Sequence, residues 1–245
     1  MVLSIKKFLH NIASEIDKLL ICRDREKQLV KFVIDAKLPT DARILDVGCG
    51  YGKNMRLLKK YTPYINLEGV DINPDMVAKN REQGLDCFTV EKFRSMEDDN
   101  MMLYDGMLFS HVIEHFQPEA LKEFLEYYLG FLKPGGVVII STPLMWKGFY
   151  WDFDHIKPYH PVGLNMIFGN NDAQVQYYSN VNLKLKDIWF GRIPYITHYH
   201  RGLYVKSLTS WWWRIVNWCY AILFKISFGI IGFYQNWMAV YIKEK

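Results

Sequence analysis

Apolar residues recur every three or four positions between residues 3 and 36: Ile5, Phe8, Leu9, Ile12 and Ile16, then Leu29, Phe32 and Val33. This period predicts helix up to a break at Pro39. Beyond it the pattern alternates. Residues 43–47 are predicted as a first strand, which gives way to glycines and a helix around residues 55–58. Residues 67–71 form a second strand, followed by a helix over 75–83. Strands at 87–90, 106–110 and 137–140 continue the series, with a helix over 118–132 ahead of the fifth. Such alternation predicts an α/β fold, with a mostly parallel sheet covered on both faces. Residues 183–190 begin in strict alternation and 237–242 form a last β-like run. The segment between them is unusually apolar and aromatic, with Trp211, Trp212, Trp213 and Trp218 crowded together.

With 50% of its 245 residues apolar, the chain has ample material for a packed core, which excludes disorder as the main state. A net charge of +4 gives no support to a nucleic-acid binder. Cys22, Cys49, Cys87 and Cys219 lie too far apart for a CxxC pair or a zinc ribbon, and a reducing compartment is the natural expectation. The first twenty residues carry Glu15 and Asp17 and lack a long apolar core, so they do not read as a secretory signal, and a cytoplasmic location is expected.

Parallel sheets bind ligands at the carboxyl ends of their strands, where glycines admit the ligand and a carboxylate about 20 residues on grips a ribose. Gly48, Gly50 and Gly52 follow the first strand and Asp71 ends the second. The spacing GxGxG is not the dinucleotide pattern GxGxxG, which disfavours NAD. Asp46, at the mouth of the loop, would repel a pyrophosphate and suit an ammonium or sulfonium cation. S-adenosylmethionine carries both cations and a ribose.

Residues 45–52, LDVGCGYG, resemble the first motif of class I S-adenosylmethionine-dependent methyltransferases. Residues 69–74, GVDINP, resemble that family's acidic ribose loop, 104–115 its fourth motif, and 132–136, LKPGG, its turn into strand five. The likeness spans residues 40–145 in order. It implies a Rossmann-like three-layer sandwich with a seven-stranded, mostly parallel sheet and an antiparallel last strand. It further implies that Asp46, Gly48 and Gly50 line the methionine moiety and that Asp71 takes both ribose hydroxyls. Glu91, with Lys92 and Phe93, falls where the family contacts adenine. Cys49, Gly52, Ile72, Ser110 and His111 are carried over as further cofactor contacts.

The segment after strand four, His111-Val112-Ile113-Glu114-His115, also lies at the ligand edge. On a helix His111, Glu114 and His115 would share one face. The loop after strand five adds Asp152, Asp154, His155 and His160, and adjacent strand ends bring the two loops together. The pattern resembles ubiquinone-biosynthesis O-methyltransferases and small-RNA 3′-terminal 2′-O-methyltransferases, which carry Glu-x-x-Glu-His and use a metal; here His111 replaces the first Glu. It also resembles metal-free methyltransferases of sugar and lipid pathways, and the later loop is similar to that of surface-polysaccharide enzymes. Three readings stay open: a divalent metal site, acid/base histidines, or hydrogen-bonded structural histidines. Methyl transfer to a hydroxyl needs a base, and the catalytic candidates are His155, with His115 as runner-up, and Glu114. The metal ranks below the metal-free reading, and no residue is assigned as a ligand. Residues 109–112 do not resemble the Asn/Asp-Pro-Pro-Tyr/Phe loop of nucleobase methylation.

From residue 215 to 233 the chain is nearly long enough to span a membrane, but Asn217 and Lys225 interrupt it, and one crossing would carry the last strand away from its sheet. Asn217, Ala221 and Lys225 instead form a narrow polar stripe. The segment reads as a helix or helical hairpin in a bilayer interface, and the alternatives are packing on the protein, a lid or a dimer surface. The expected plan is one methyltransferase domain: a helical cap over 1–38, a cofactor-binding core over 40–190, an apolar insert over 191–236 beside the active site, and a last strand over 237–245. The expected function is O-methylation of a lipid-linked or amphiphilic acceptor by a peripheral enzyme on the inner membrane face. Alternatives are a soluble small-metabolite methyltransferase, dimeric or not, and a non-catalytic scaffold that has kept the fold.

Overall fold

The computed structural model describes residues 24–96, 103–169, 174–198, 205 and 207–244; Cys22 and the helix expected over residues 3–23 lie outside them. The elements are α1 (Asp24–Asp35), β1 (Arg43–Val47), α2 (Lys53–Tyr61), β2 (Asn66–Asp71), α3 (Pro74–Glu82), β3 (Asp86–Thr89), α4 (Val90–Arg94), β4 (Tyr104–Ser110), α5 (Pro118–Leu129), β5 (Leu132–Pro143), α6 (Pro161–Phe168), β6 (Leu183–Ile193), α7 (Leu208–Ile226) and β7 (Phe233–Lys243).

The sheet runs β3-β2-β1-β4-β5-β7-β6. Strands β1 to β5 pair in parallel, and β7 lies antiparallel to β5. Side chains alternate across a strand, and here both faces are dry. Leu45, Val47, Met107 and Phe109 meet Leu121, Leu125 and Tyr128 of α5 on one side. Ile44, Leu108, Val137 and Ile139 meet Leu29, Phe32 and Val33 of α1 on the other. These two apolar layers make the three-layer sandwich, which explains why the central strands read as continuous apolar runs. The order of connection reverses between β1 and β4, so their carboxyl ends diverge into a crevice where a ligand can sit. At the crevice edge Asn73 caps α3 by accepting from the backbone N–H groups of Asp75 and Met76, with Pro74 opening the helix.

The chain divides into two compact units, one of Arg25–Phe190 with Asn236–Lys245 and one that contains Gly191–Gln235. In the latter α7 is one helix. Its expected polar stripe does not face water as a whole. The Asn217 carboxamide accepts from the Thr197 N–H at 2.8 Å and donates to the Thr197 carbonyl at 2.9 Å, Ala221 is buried, and of the three only Lys225 is exposed. A carboxamide satisfies both backbone groups of one residue, so the polar side turns inward. Among the described residues no helix is long and apolar enough to cross a membrane.

Candidate active site

The glycine loop is closed onto β2 by the Gly48 and Cys49 N–H groups, which donate to the Val70 carbonyl at 2.7 and 3.0 Å. Asp71 then braces the loop from outside: Oδ2 accepts from the Gly50 N–H at 2.7 Å and Oδ1 from the Asn73 N–H at 2.8 Å. All three glycines have φ between 49° and 74°, which disfavours other residues. They differ in what surrounds them. A Cβ at Gly48 would strike Val112, and one at Gly52 would strike Leu85 and Asn80, so these two answer to the protein's own packing. A Cβ at Gly50 would meet nothing within 4 Å, so Gly50 borders open space.

Asp46 is 2% exposed, and neither carboxylate oxygen has a hydrogen-bond partner among the described residues. Burial, with the Asp71 charge adding to it, pushes its carboxyl up to about 7. An unpaired buried carboxylate is costly, and a cation bound beside it would remove the cost. A ligand with an ammonium and a ribose fits this crevice: Asp46 lacks a counter-ion, Gly50 leaves room, and each Asp71 oxygen has acceptor capacity beyond its backbone bond. Ile72 and Tyr51 stand exposed at its rim.

Two of the expected cofactor contacts are corrected by packing. Phe93 is wholly buried, its ring 5.1 Å from Phe131, 5.7 Å from Tyr128 and 6.4 Å from Tyr104, so it offers no face to a ligand, whereas Glu91 and Lys92 on α4 are exposed. The Cys49 thiol turns inward against Cys87 at 3.9 Å and Asn80 at 3.8 Å, leaving only its backbone at the loop.

The histidine segment does not form the helix that would have placed His111, Glu114 and His115 on one face. Residues Ile113–His115 make a single 3₁₀ turn, preceded by His111 at φ 57°. His111 therefore bridges two charges. Its Nε2 accepts from the guanidinium of Arg25, so Nδ1 carries the proton and sits 3.1 Å from Glu114 Oε1. With both ring nitrogens engaged, only the His111 backbone can serve a cofactor. Glu114 is fully buried, and Thr142 donates to its Oε2 at 2.8 Å. Burial alone would raise its carboxyl, but the His111 imidazole beside Oε1 and the Thr142 hydrogen bond outweigh that and hold it below the ordinary carboxylate range. Neither Arg25, 86 residues from His111, nor Thr142 carried a signal in the sequence.

The loop after β5 is laced onto this turn. The Glu114 carbonyl accepts from the N–H groups of Ile156 and Lys157, and Tyr159 donates to the Phe116 carbonyl at 2.9 Å. His155 bonds the Phe149 carbonyl through Nδ1 at 2.7 Å. That oxygen can only accept, so Nδ1 carries a proton and Nε2 is the nitrogen left to take or give one, 3.9 Å from Glu114 Oε1 and 3.7 Å from Asp152 Oδ2. His115 repeats the arrangement, with Nδ1 on the Asp154 carbonyl at 3.0 Å and its ring 5.1 Å from that of His155. Asp154 thus contributes its backbone, and His160 caps α6. Ligand atoms of Glu114, His115 and His155 lie within 4.8 Å of one another, close enough to hold a metal ion.

Residues 17–215 match a family described as "Methyltransferase domain". Among curated proteins the chain is 26% identical over 124 residues to trans-aconitate 2-methyltransferase of Escherichia coli O17:K52:H18, covering 50% of this chain and 48% of that one. It is 32% identical over 131 residues to the small RNA 2′-O-methyltransferase of Rattus norvegicus, covering 47% and 32%. The chain thus spans half or less of the length of these relatives. Its fold is similar to that of a SAM-dependent methyltransferase from Archaeoglobus fulgidus, at TM-score 0.58 and 23% identity over 91% of this chain and 95% of that one. It is also similar to the [4+2]-cyclase SpnF, at TM-score 0.53 and 16% identity over 89% and 81%. At these identities the likeness speaks for the fold; the chemistry must be argued from the site.

Proposed function

Because the chain belongs to the methyltransferase-domain family, we propose that it takes a methyl group from S-adenosylmethionine to a hydroxyl oxygen of a lipid-linked or amphiphilic acceptor at a membrane surface. The observation that carries this reading is the fixed direction of His155, whose Nδ1 is held on the Phe149 carbonyl so that Nε2 stands beside an anionic, buried Glu114.

The donor supplies a methyl group already activated by its sulfonium, so the protein's work is alignment and proton removal. Asp46 pairs with the donor's positive end and Asp71 with its ribose hydroxyls, and Gly50 leaves the space between them. His155 takes the acceptor's proton on Nε2. The imidazolium so formed lies between Glu114 Oε1 and Asp152 Oδ2, and its Nδ1–H stays on the Phe149 carbonyl. Glu114 is the counter-ion, kept ionised by His111 and Thr142. His115, turned the same way, is the next nearest base.

The loop that carries His155 also presents Met145, Tyr150, Trp151, Phe153 and Ile156 to solvent, with Phe153 99% exposed. So many solvent-facing apolar side chains around one histidine suit an acceptor with an apolar portion. The test is incubation with methyl-labelled donor and a total lipid extract. Label in the lipid phase, lost in His155→Ala, is the expected result, and label confined to water-soluble products overturns the acceptor. That outcome would favour a small-metabolite acceptor, the reading the trans-aconitate relative supports.

The Glu114, His115 and His155 cluster favours a second reading, in which a divalent cation takes the lone pairs assigned here to the base. His111 already sits on Glu114 Oε1, so turnover is expected to survive dialysis against a chelator. Loss of turnover that magnesium or manganese restores would make His155 a ligand instead.

A further inference from the structure

Helix α7 buries the wrong side for a helix in water. Trp212, Ile215, Ile222, Leu223 and Ile226 are all exposed, and so is Cys219 between them. Taking Trp212 as zero and about 100° per residue, they fall at about 300°, 340°, 280°, 20° and 320° in chain order from Ile215, an arc of about 100° with no polar side chain in it. The stripe runs on into the turn after the helix, where Phe228 is 96% exposed and Ile230 and Ile231 also face solvent. Arg214 and Lys225 flank the arc on one side, at about 200° and 220°.

Charge says what covers it. Residues 191–235 contain five basic side chains, Arg192, Arg201, Lys206, Arg214 and Lys225, and no Asp or Glu, whereas the rest of the chain has 25 basic against 26 acidic residues. The net positive charge of the protein therefore comes from the segment that bears the apolar stripe. A second copy of this segment would set the same net positive charge against itself. An anionic bilayer offers both complements at once, with phosphates for the cations and acyl chains for the stripe.

We propose that the α7 stripe and the Phe228–Ile231 turn form a docking surface for an anionic lipid bilayer, lying in its interface without crossing it. This deepens, and rests on, the membrane-surface reading above.

The test is co-sedimentation of the full chain with vesicles of phosphatidylcholine alone and of phosphatidylcholine mixed with phosphatidylglycerol. Binding should be at least about tenfold tighter to the anionic vesicles and should weaken with salt, at about fivefold for each cation that touches the surface. Phe228→Ser should weaken it by at least about tenfold, and Lys225→Gln by about fivefold. Both positions are exposed, so donor affinity by calorimetry should stay at the parent value. Equal binding to both vesicle types, or none to either, overturns the proposal, as does self-association that Phe228→Ser abolishes. The two readings fail separately: labelling of a detergent-dispersed lipid acceptor without vesicle binding removes the docking surface alone, and vesicle binding with water-soluble products removes the acceptor alone.

Discussion

Replacing Asp46 with asparagine should make the ligand-free protein more stable at alkaline pH while weakening its hold on the donor. Burial lifts this carboxyl from 3.8 to about 7. At 1.36 kcal/mol per pH unit, a rise of about three units corresponds to about 4 kcal/mol. The sign follows from proton affinity. The folded protein holds the Asp46 proton more tightly than the unfolded chain does, so the stability this provides is complete below pH 3.8 and is lost as the pH climbs through about 7. Asparagine keeps the shape and never ionises. Its unpartnered amide costs about 1–3 kcal/mol, which leaves a net gain of about 1–3 kcal/mol at about pH 8 and no gain at about pH 4. Donor binding should move the other way, because only the ionised carboxylate pairs with an ammonium. Calorimetry with S-adenosylhomocysteine should show the parent losing about tenfold in affinity per pH unit below about 7, with proton release on binding. The variant should bind more weakly and with no such slope. A variant that melts no higher than the parent at about pH 8 and binds the ligand equally well would refute the reasoning.

Four further outcomes are expected. Asp71→Ala should cost about 1–3 kcal/mol of donor affinity by calorimetry, with some loss of stability as well, because the Gly50 and Asn73 N–H groups lose their acceptor. His155→Ala should lower kcat by about 10²–10⁴-fold in a labelled-donor assay while leaving donor affinity alone; unchanged turnover would discard the base. Gly52→Ala should lower denaturant stability by about 1–3 kcal/mol, because its methyl meets Asn80 and Leu85. Gly50→Ala, with open space before it, should cost only the backbone strain of about 1–2 kcal/mol but should reduce donor affinity, and the two variants compared by urea melts and calorimetry separate packing from binding.

What the sequence made legible was local. The succession of strands along the chain, the glycine loop after β1 and the carboxylate at the end of β2 each reside in a few consecutive residues, and the parallel part of the sheet follows from alternation, whereas the antiparallel last strand is implied only by the family resemblance. What stayed hidden depends on partners far along the chain. His111 looked like part of a helical face, but a left-handed backbone turns it between Arg25 and Glu114. Phe93 had a ligand's address in the motif and went instead to the core with Tyr104, Tyr128 and Phe131. Asn217 read as solvent-facing until Thr197, twenty residues away, was seen to occupy its amide. Only Gly50, of three glycines indistinguishable in sequence, turns out to border open space.

Strand β7 lies between β5 and β6, so a strand synthesised after both of them must enter between them. Until residues 233–243 emerge, β5 keeps a bare edge and β6 has no neighbour, and the slot that Trp237 fills, with its Nε1–H on the Tyr159 carbonyl, stands open. A nascent chain in that condition exposes unpaired backbone and a large apolar gap, which are the features chaperones hold and neighbouring nascent chains stick to. The sheet is therefore completed only after β6 is already made, and stop codons ahead of residue 233 should yield inclusion bodies rather than shortened enzyme.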